Sequence, residues 1–341
     1  MALSRILANI GAGGLFVAFA LAFIVALLAT RLLIRRLGRR GILAHVNARS
    51  LHAHPTPIGG GWAVVPLIAA ALALFPPPAL ETPTRAAAAG IVLLALLSWA
   101  DDRRHLSAAV RLAAQALLVA AVLALSPPQM TVFSAHWPLW ADRLLTALCW
   151  LWFINLFNFM DGIDGLAGVE TLFITSGLLL VGAWLGHGAQ TLLPLAVLAG
   201  ATAGFLWHNW PPAKIFLGDV GSIPLGFVLG WLLIRLAAEG HLAAALLLPG
   251  YFLADATITL LRRLLAGEAI WQPHRSHFYQ RAALALGGHA PVLWRVMALN
   301  AALLALALAS LRWPLAAVVA GVVVIGAILL LLHRAACAPG H

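Results

Sequence analysis

The chain has 341 residues, 63% of them hydrophobic and only 9% charged, with a formal net charge of +10. A soluble domain carries about 25% charged residues, so the composition excludes a soluble enzyme and describes a polytopic membrane protein. Nucleic acid is not the partner the positive charge points to, because the arginines are spread over short connections and read as topology signals. The two cysteines, Cys149 in an apolar run and Cys337 near the end, give neither a disulfide framework nor metal-ligand spacing.

Apolar runs long enough to cross about 30 Å of hydrocarbon recur along the whole length, and in lipid such runs must be helices. In chain order they predict eleven spans, at 13–34, 59–75, 86–100, 108–126, 139–157, 166–186, 190–208, 221–237, 241–261, 290–310 and 314–333. The first follows a single arginine, Arg5, without a clean small-residue cleavage site, and reads as an uncleaved span. The expected fold is all-α: one transmembrane helical bundle, with no separate soluble domain between the spans.

Sorting the connections by alternate membrane side separates the polar residues. One side receives 31–58, 101–107, 158–165, 208–222, 262–291 and the tail, and with them Arg31, Arg35, Arg36, Arg39, Arg40, Arg49, Arg103, Arg104, Lys214, Arg262, Arg263, Arg275, Arg281 and Arg334. The other side holds little beyond Arg85 and Arg312, plus Arg5 at the start. The positive-inside rule makes the first side cytoplasmic and the N-terminus periplasmic. Asp101, Asp102, Asp161, Asp164 and Asp219, five of the eleven acidic residues, fall on that same side. Acidic residues contribute little to orientation, so this convergence calls for a chemical reason.

Five blocks carry the candidate chemistry. The segment Asn47–Gly61 offers Arg49, Ser50, His52 and a triple glycine, and reads as an anion-receiving turn. Asp101 and Asp102 are adjacent carboxylates at a helix end, suited to Mg²⁺ or to base chemistry, with a solvated ion-pair cluster as the plainer alternative. Asn155, Asn158, Asp161 and Asp164 recur every three residues beside glycines 162, 165 and 168, and could share one helix face or sit in Asp-Gly turns. Lys214, the lone lysine, precedes Gly218-Asp219-Val220-Gly221-Ser222, a turn opening a helix whose free N–H groups suit a phosphate, though Ser222 could simply cap it. His274, Arg275 and His277, with Arg281 a turn later, suit a diphosphate; zinc lacks supporting ligands here. Asp255, inside the ninth span, and Glu170, in the sixth, are secondary candidates as intramembrane carboxylates.

In order and spacing these blocks resemble the polyprenyl-phosphate N-acetylhexosamine-1-phosphate transferases, the glycosyltransferase family 4 enzymes of WecA and WbpL type and, more distantly, MraY. The resemblance runs from about Asn47 to Arg281. It rests on Asn47-x-Arg49-Ser50-x-His52, on Pro55-Thr56-Pro57 and Gly59-Gly60-Gly61, on Asp101-Asp102, on Asn158 to Leu166, on Lys214 to Ser222 and on His274 to Gln280. The histidine block looks more like the WbpL branch. The family pattern usually has Asp at Ala44, Pro at Val46 and Arg at Ile58, so the first block departs from it.

What the resemblance implies is that Asp219 binds Mg²⁺, with Mn²⁺ as an alternative, and that Asp101 and Asp102 sit at the metal and phosphate centre. It further implies that Asn158, Asp161 and Asp164 line the nucleotide-sugar site, and that His274, Arg275 and His277 contact the diphosphate or sugar. Lys214 and Arg49 are expected to meet substrate phosphates. The expected reaction moves a sugar-1-phosphate from a UDP-N-acetylhexosamine to undecaprenyl phosphate, releasing UMP and starting surface polysaccharide or O-antigen synthesis in the bacterial inner membrane. No nucleic acid is involved, and a homodimer is compatible with the sequence. Two rivals are a diphosphatase with water as acceptor and a transporter or Mg²⁺ channel; the latter would place ionisable groups along a midplane path.

Overall fold

The computed structural model describes residues 11–44, 55–104, 106–269 and 274–337, and 79% of them are helical. Helix α1 is Ala12–Arg39, followed by a two-residue antiparallel pair, β1 (Leu43–Ala44) and β2 (Thr56–Pro57). Next come α2 (Gly61–Leu74), a 3₁₀ turn at Pro78–Leu80, α3 (Glu81–Arg104) and α4 (Ala108–Leu125). Then follow α5 (Leu139–Phe159), α6 (Leu166–Trp184), α7 (Ala189–Asn209) and α8 (Asp219–Leu236). A π turn at Ala237–His241 leads to α9 (Leu242–Leu247), and α10 (Gly250–Leu265), α11 (Phe278–Ala285), α12 (Ala290–Ala309) and α13 (Pro314–Cys337) complete the order.

Each of the eleven expected spans has a helical counterpart, so the all-α polytopic fold is established. Eight helical stretches among the described residues are long and apolar enough to cross a membrane, fewer than the eleven expected. The shortfall has physical causes. Helix α2 has only 14 residues, about 21 Å at 1.5 Å per residue. Asp142, Arg143, Asn155 and Asn158 dilute the apolar run of α5. The ninth expected span is broken at Leu248-Pro249, because proline cannot donate the amide that would continue α9 into α10.

A helix that is apolar all round belongs at the centre of a bundle, and α8 is such a helix. Every residue from Val220 to Leu236 is buried, against α2, α3, α5 and α6. The α5 side is keyed by Trp150, whose Nε1 donates to the Phe227 carbonyl at 2.9 Å and whose ring stacks on Phe227 and Trp231. Lipid supplies no hydrophobic drive between helices, so close packing and such polar contacts hold them. Helix α1 lies along α7 at Gly200 and Gly204, where a side chain would collide with the α1 backbone at Phe19 and Phe23.

Glu170 of α6, fully buried, accepts the Asn300 side-chain amide of α12 at 2.6 Å and so ties α6 to α12.

Candidate active site

The N-terminal end of α8 is where the separate polar connections meet. Ser222 Oγ donates to Asn158 Oδ1 at 2.6 Å, joining α8 to the end of α5. Asp164 Oδ2 accepts the Ala213 amide at 3.0 Å, joining the α5–α6 loop to the segment before α8. Asp101, at the end of α3, reaches Asp219 through Arg111 of α4. A cavity of about 280 Å³ opens among these contacts, lined in part by Asn158, Asp161, Asp164, Asn209, Asp219 and His289.

The three-residue ladder divides at the end of α5. Asn155 is still helical, and its amide donates to Gln115 Oε1 and the Leu151 carbonyl, both at 2.8 Å, so it fastens α5 to α4 outside the cavity. Asp161 and Asp164 lie beyond Phe159, in the turn leading to α6. Asp164 is engaged: besides Ala213 it faces His289 Nδ1 at 3.2 Å. Asp161 accepts no hydrogen bond from the described residues, and its carboxyl is held well above the usual range, first by burial and then by the charges of Asp219 and Asp164. Gly162 follows because a side chain there would strike the Tyr279 hydroxyl, which donates to the Phe159 carbonyl at 2.9 Å.

The Asp101–Asp102 pair is unequal. Asp101 accepts the Leu106 amide at 2.7 Å and Arg111 Nη1 at 2.9 Å, closing the corner between α3 and α4. Asp102 is exposed and carries no such bond among the described residues. The same Arg111 nitrogen lies 3.8 Å from Asp219 Oδ2, and both members of the pair stand close enough to Asp219 to act on its charge. Arg111 is therefore the cation that this crowd of carboxylates already holds.

The histidine block lies beside this cavity without lining it. His277 is 2% exposed, with Nδ1 3.2 Å from Asp255 Oδ1. Asp255, fully buried in α10, also accepts the amides of Phe278 and Tyr279 at 3.1 Å and the hydroxyls of Tyr251 and Thr259. It caps α11 and is not a transport-path carboxylate. His274 stacks on His277 with ring centroids 5.0 Å apart. Burial, then His277 and Arg263, lower its pKa to about 4, so it is neutral at pH 7. Arg275 is exposed.

Two expected anion sites come out differently. The amides of Gly59 and Gly60 donate to the Phe216 carbonyl and that of Gly61 to Leu217, so the triple glycine is spent on docking the early loop against the segment before α8. Gly218, not Ser222, precedes the first residue of α8, and Ser222 is turned to Asn158. The Lys214 side chain is exposed beside the cavity's outer loop. Arg49, with Asn47, Ser50 and His52, lies outside the described residues. Ala44 and Ile58, where the family pattern usually has charged residues, both line the cavity.

Residues the sequence did not single out are Arg111, Asn209 and His289. Asn209 accepts the Gly165 amide at 3.0 Å and donates to the Ile215 carbonyl at 2.8 Å, holding two walls together. Arg111 had one signal: a basic residue a single turn inside an apolar span. His289 and Asn209 had none, since their partners lie 125 and 44 residues away.

Residues 84–237 match the family described as Glycosyl transferase family 4. A probable undecaprenyl-phosphate N-acetylglucosaminyl 1-phosphate transferase of Bacillus subtilis is 29% identical over 279 residues, covering 78% of this chain and 76% of the relative. A phospho-N-acetylmuramoyl-pentapeptide-transferase of Moorella thermoacetica is 35% identical over 199 residues, 53% of this chain and 61% of the relative. A decaprenyl-phosphate N-acetylglucosaminephosphotransferase of Mycolicibacterium smegmatis is 30% identical over 281 residues, 71% of this chain and 69% of the relative. The family match spans α3 to the end of α8, the segment that carries Asp101, Asp161 and Asp219, and on this extent of likeness the chain belongs to glycosyl transferase family 4.

Proposed function

We propose that this protein transfers an N-acetylhexosamine-1-phosphate from its UDP-sugar to undecaprenyl phosphate and releases UMP, at the cytoplasmic face of a bacterial inner membrane, as a first step of surface polysaccharide or O-antigen assembly. The observation that carries the reading is the group of carboxylates at the head of α8. Asp102, Asp161 and Asp219 stand close enough for Asp219 to feel the first and act on the second, with Arg111 3.8 Å from Asp219 and Arg103 acting on Asp102. Like charges crowded together are costly unless a cation compensates them. Two of the relatives are named for polyprenyl phosphates, and a lipid acceptor requires a site at the bilayer surface, as the ends of membrane-spanning helices can provide.

The donor set fits Mg²⁺ or Mn²⁺. All candidate ligands are hard oxygens, and no three His, Cys, Asp or Glu side chains among the described residues already form a ligand cage. Mg²⁺ is usually bound through one or two carboxylates with waters and substrate phosphates, so an open arrangement suits it. Asp219 would hold the ion beside the Asp101–Asp102 pair, of which Asp101 is already bonded to Leu106 and Arg111; when bound, the ion would supply Lewis-acid neutralisation of phosphate charge. Asp102, the member of its pair without a bond, is placed to take the proton of the lipid phosphate. Arg111 supplies fixed positive charge beside the phosphates. Asn158 and Asp161 face the nucleotide-sugar from the opposite wall, and Asp164 positions the loop carrying Lys214. His274, Arg275 and His277 flank the donor, with exposed Arg275 supplying a guanidinium.

The test is UMP release by the purified full chain from a panel of UDP-sugars with Mg²⁺, with and without undecaprenyl phosphate. Release that requires the lipid supports the transferase. Release without it gives the diphosphatase, and no release from any donor contradicts both.

A further inference from the structure

Asp255 collects five donors on one buried carboxylate: the Tyr251 and Thr259 hydroxyls from its own helix, His277 Nδ1, and the backbone amides of Phe278 and Tyr279. The last three all belong to the entry of α11. Two consequences reach the cavity from there. Tyr279, fixed by its amide, sends its hydroxyl to the Phe159 carbonyl at the root of the loop bearing Asp161, against Gly162. His277, fixed by its ring, supports the stacked and half-buried His274. A capping box between His277 and Gln280 closes the same turn from within the helix. Helix α11 has eight residues, too few to persist without tertiary anchors.

We propose that Asp255 is a positioning residue for the transfer reaction: through the first turn of α11 it fixes Tyr279 on the Asp161–Gly162 loop and sets the His274–His277 stack beside it. The inference rests on the transferase reading for its kinetic arm and on geometry alone for its labelling arm. Asp255 touches no substrate. It acts at a distance because a carboxylate saturated by amide donors is rigid, and an amide or apolar side chain in its place could not accept all five bonds.

Asp255→Asn, Tyr279→Phe and the double variant are compared by kcat and KM. If Asp255 acts through this turn, Asp255→Asn lowers kcat by about tenfold or more with KM for the UDP-sugar within about threefold, and adding Tyr279→Phe lowers it no further. Losses that multiply overturn the proposal. Tyr251→Phe, which removes one donor of the five, gives a loss of under about threefold and covers the case in which Asp255→Asn is poorly folded. Independently of turnover, diethyl pyrocarbonate should modify His277 in Asp255→Asn at least about fivefold faster than in the wild type, relative to exposed His136, as the buried ring is released. A His277 that stays equally protected also overturns it. Wild-type protein without activity on any UDP-sugar would defeat the transferase reading, and the labelling result would still decide the anchor.

Discussion

Asp255 lies fully buried within the bundle and Asp161 half-buried at its end, and Asp255 is met by five partners and Asp161 by none among the described residues. The same division runs through the other carboxylates. Asp142, at the opposite end of α5, takes the amides of Val132, Phe133 and Ser134, and Asp164 and Asp101 are likewise engaged, whereas Asp102 and Asp219 stand near like charges. Saturated carboxylates organise backbone and need no ligand. Under-bonded ones crowded together hold free energy that only a cation or a proton relieves. Position in the membrane, which first marked Asp255 as functional, is the weaker guide; the count of donors is the stronger.

The largest effect that sharpens this contrast is Asp219→Asn. It should lower turnover by about 1,000-fold in protein that still elutes and inserts normally, as measured by UMP release and size exclusion. Arg111→Gln should follow with a loss of about 10- to 100-fold, because the neutral amide leaves Asp101 and Asp219 without their shared cation. Asp142→Asn inverts the pattern. Its three amide bonds are weakened, so stability falls by about 1–3 kcal/mol while turnover per folded molecule is retained. Equal effects of Asp219→Asn and Asp142→Asn on both readouts would break the distinction.

The smallest effect is one of pH. Asp161 ionises near pH 4 in the unfolded chain but only at higher pH when folded, because of burial and the charges of Asp219 and Asp164. Between those values the folded state binds more protons, so stability declines as pH rises. Without divalent cation, the thermal midpoint should therefore fall on going upward from about pH 5, and Asp161→Asn should flatten that slope. A midpoint that rises over the same interval in the wild type but not in the variant would contradict the assignment.

Much of the fold was legible because lipid imposes a strong rule: each apolar run becomes a helix, and the expected boundaries lie within a few residues of the observed ones over most of the chain. The exception, Leu248-Pro249, carried its own signal in the proline. The site was legible as a set of blocks but not as a set of roles. A three-residue spacing groups Asn155 with Asp164 only while the helix continues, and α5 ends at Phe159. Whether an aspartate is saturated depends on partners far along the chain, as Ala213 is for Asp164 and Phe278 for Asp255. No local pattern encodes those. Arg111 was hidden in the same way, since its importance lies in reaching Asp219 across 108 positions, and the amides of the triple glycine find their acceptors at Phe216 and Leu217, far along the chain.

The most direct test of the central claim is Mn²⁺ binding to the full chain followed by electron paramagnetic resonance, with Mg²⁺ as competitor. The account predicts a site that Mg²⁺ displaces, lost in Asp219→Asn and kept in Asp255→Asn. Binding that survives Asp219→Asn, or that disappears equally in both variants, would contradict it.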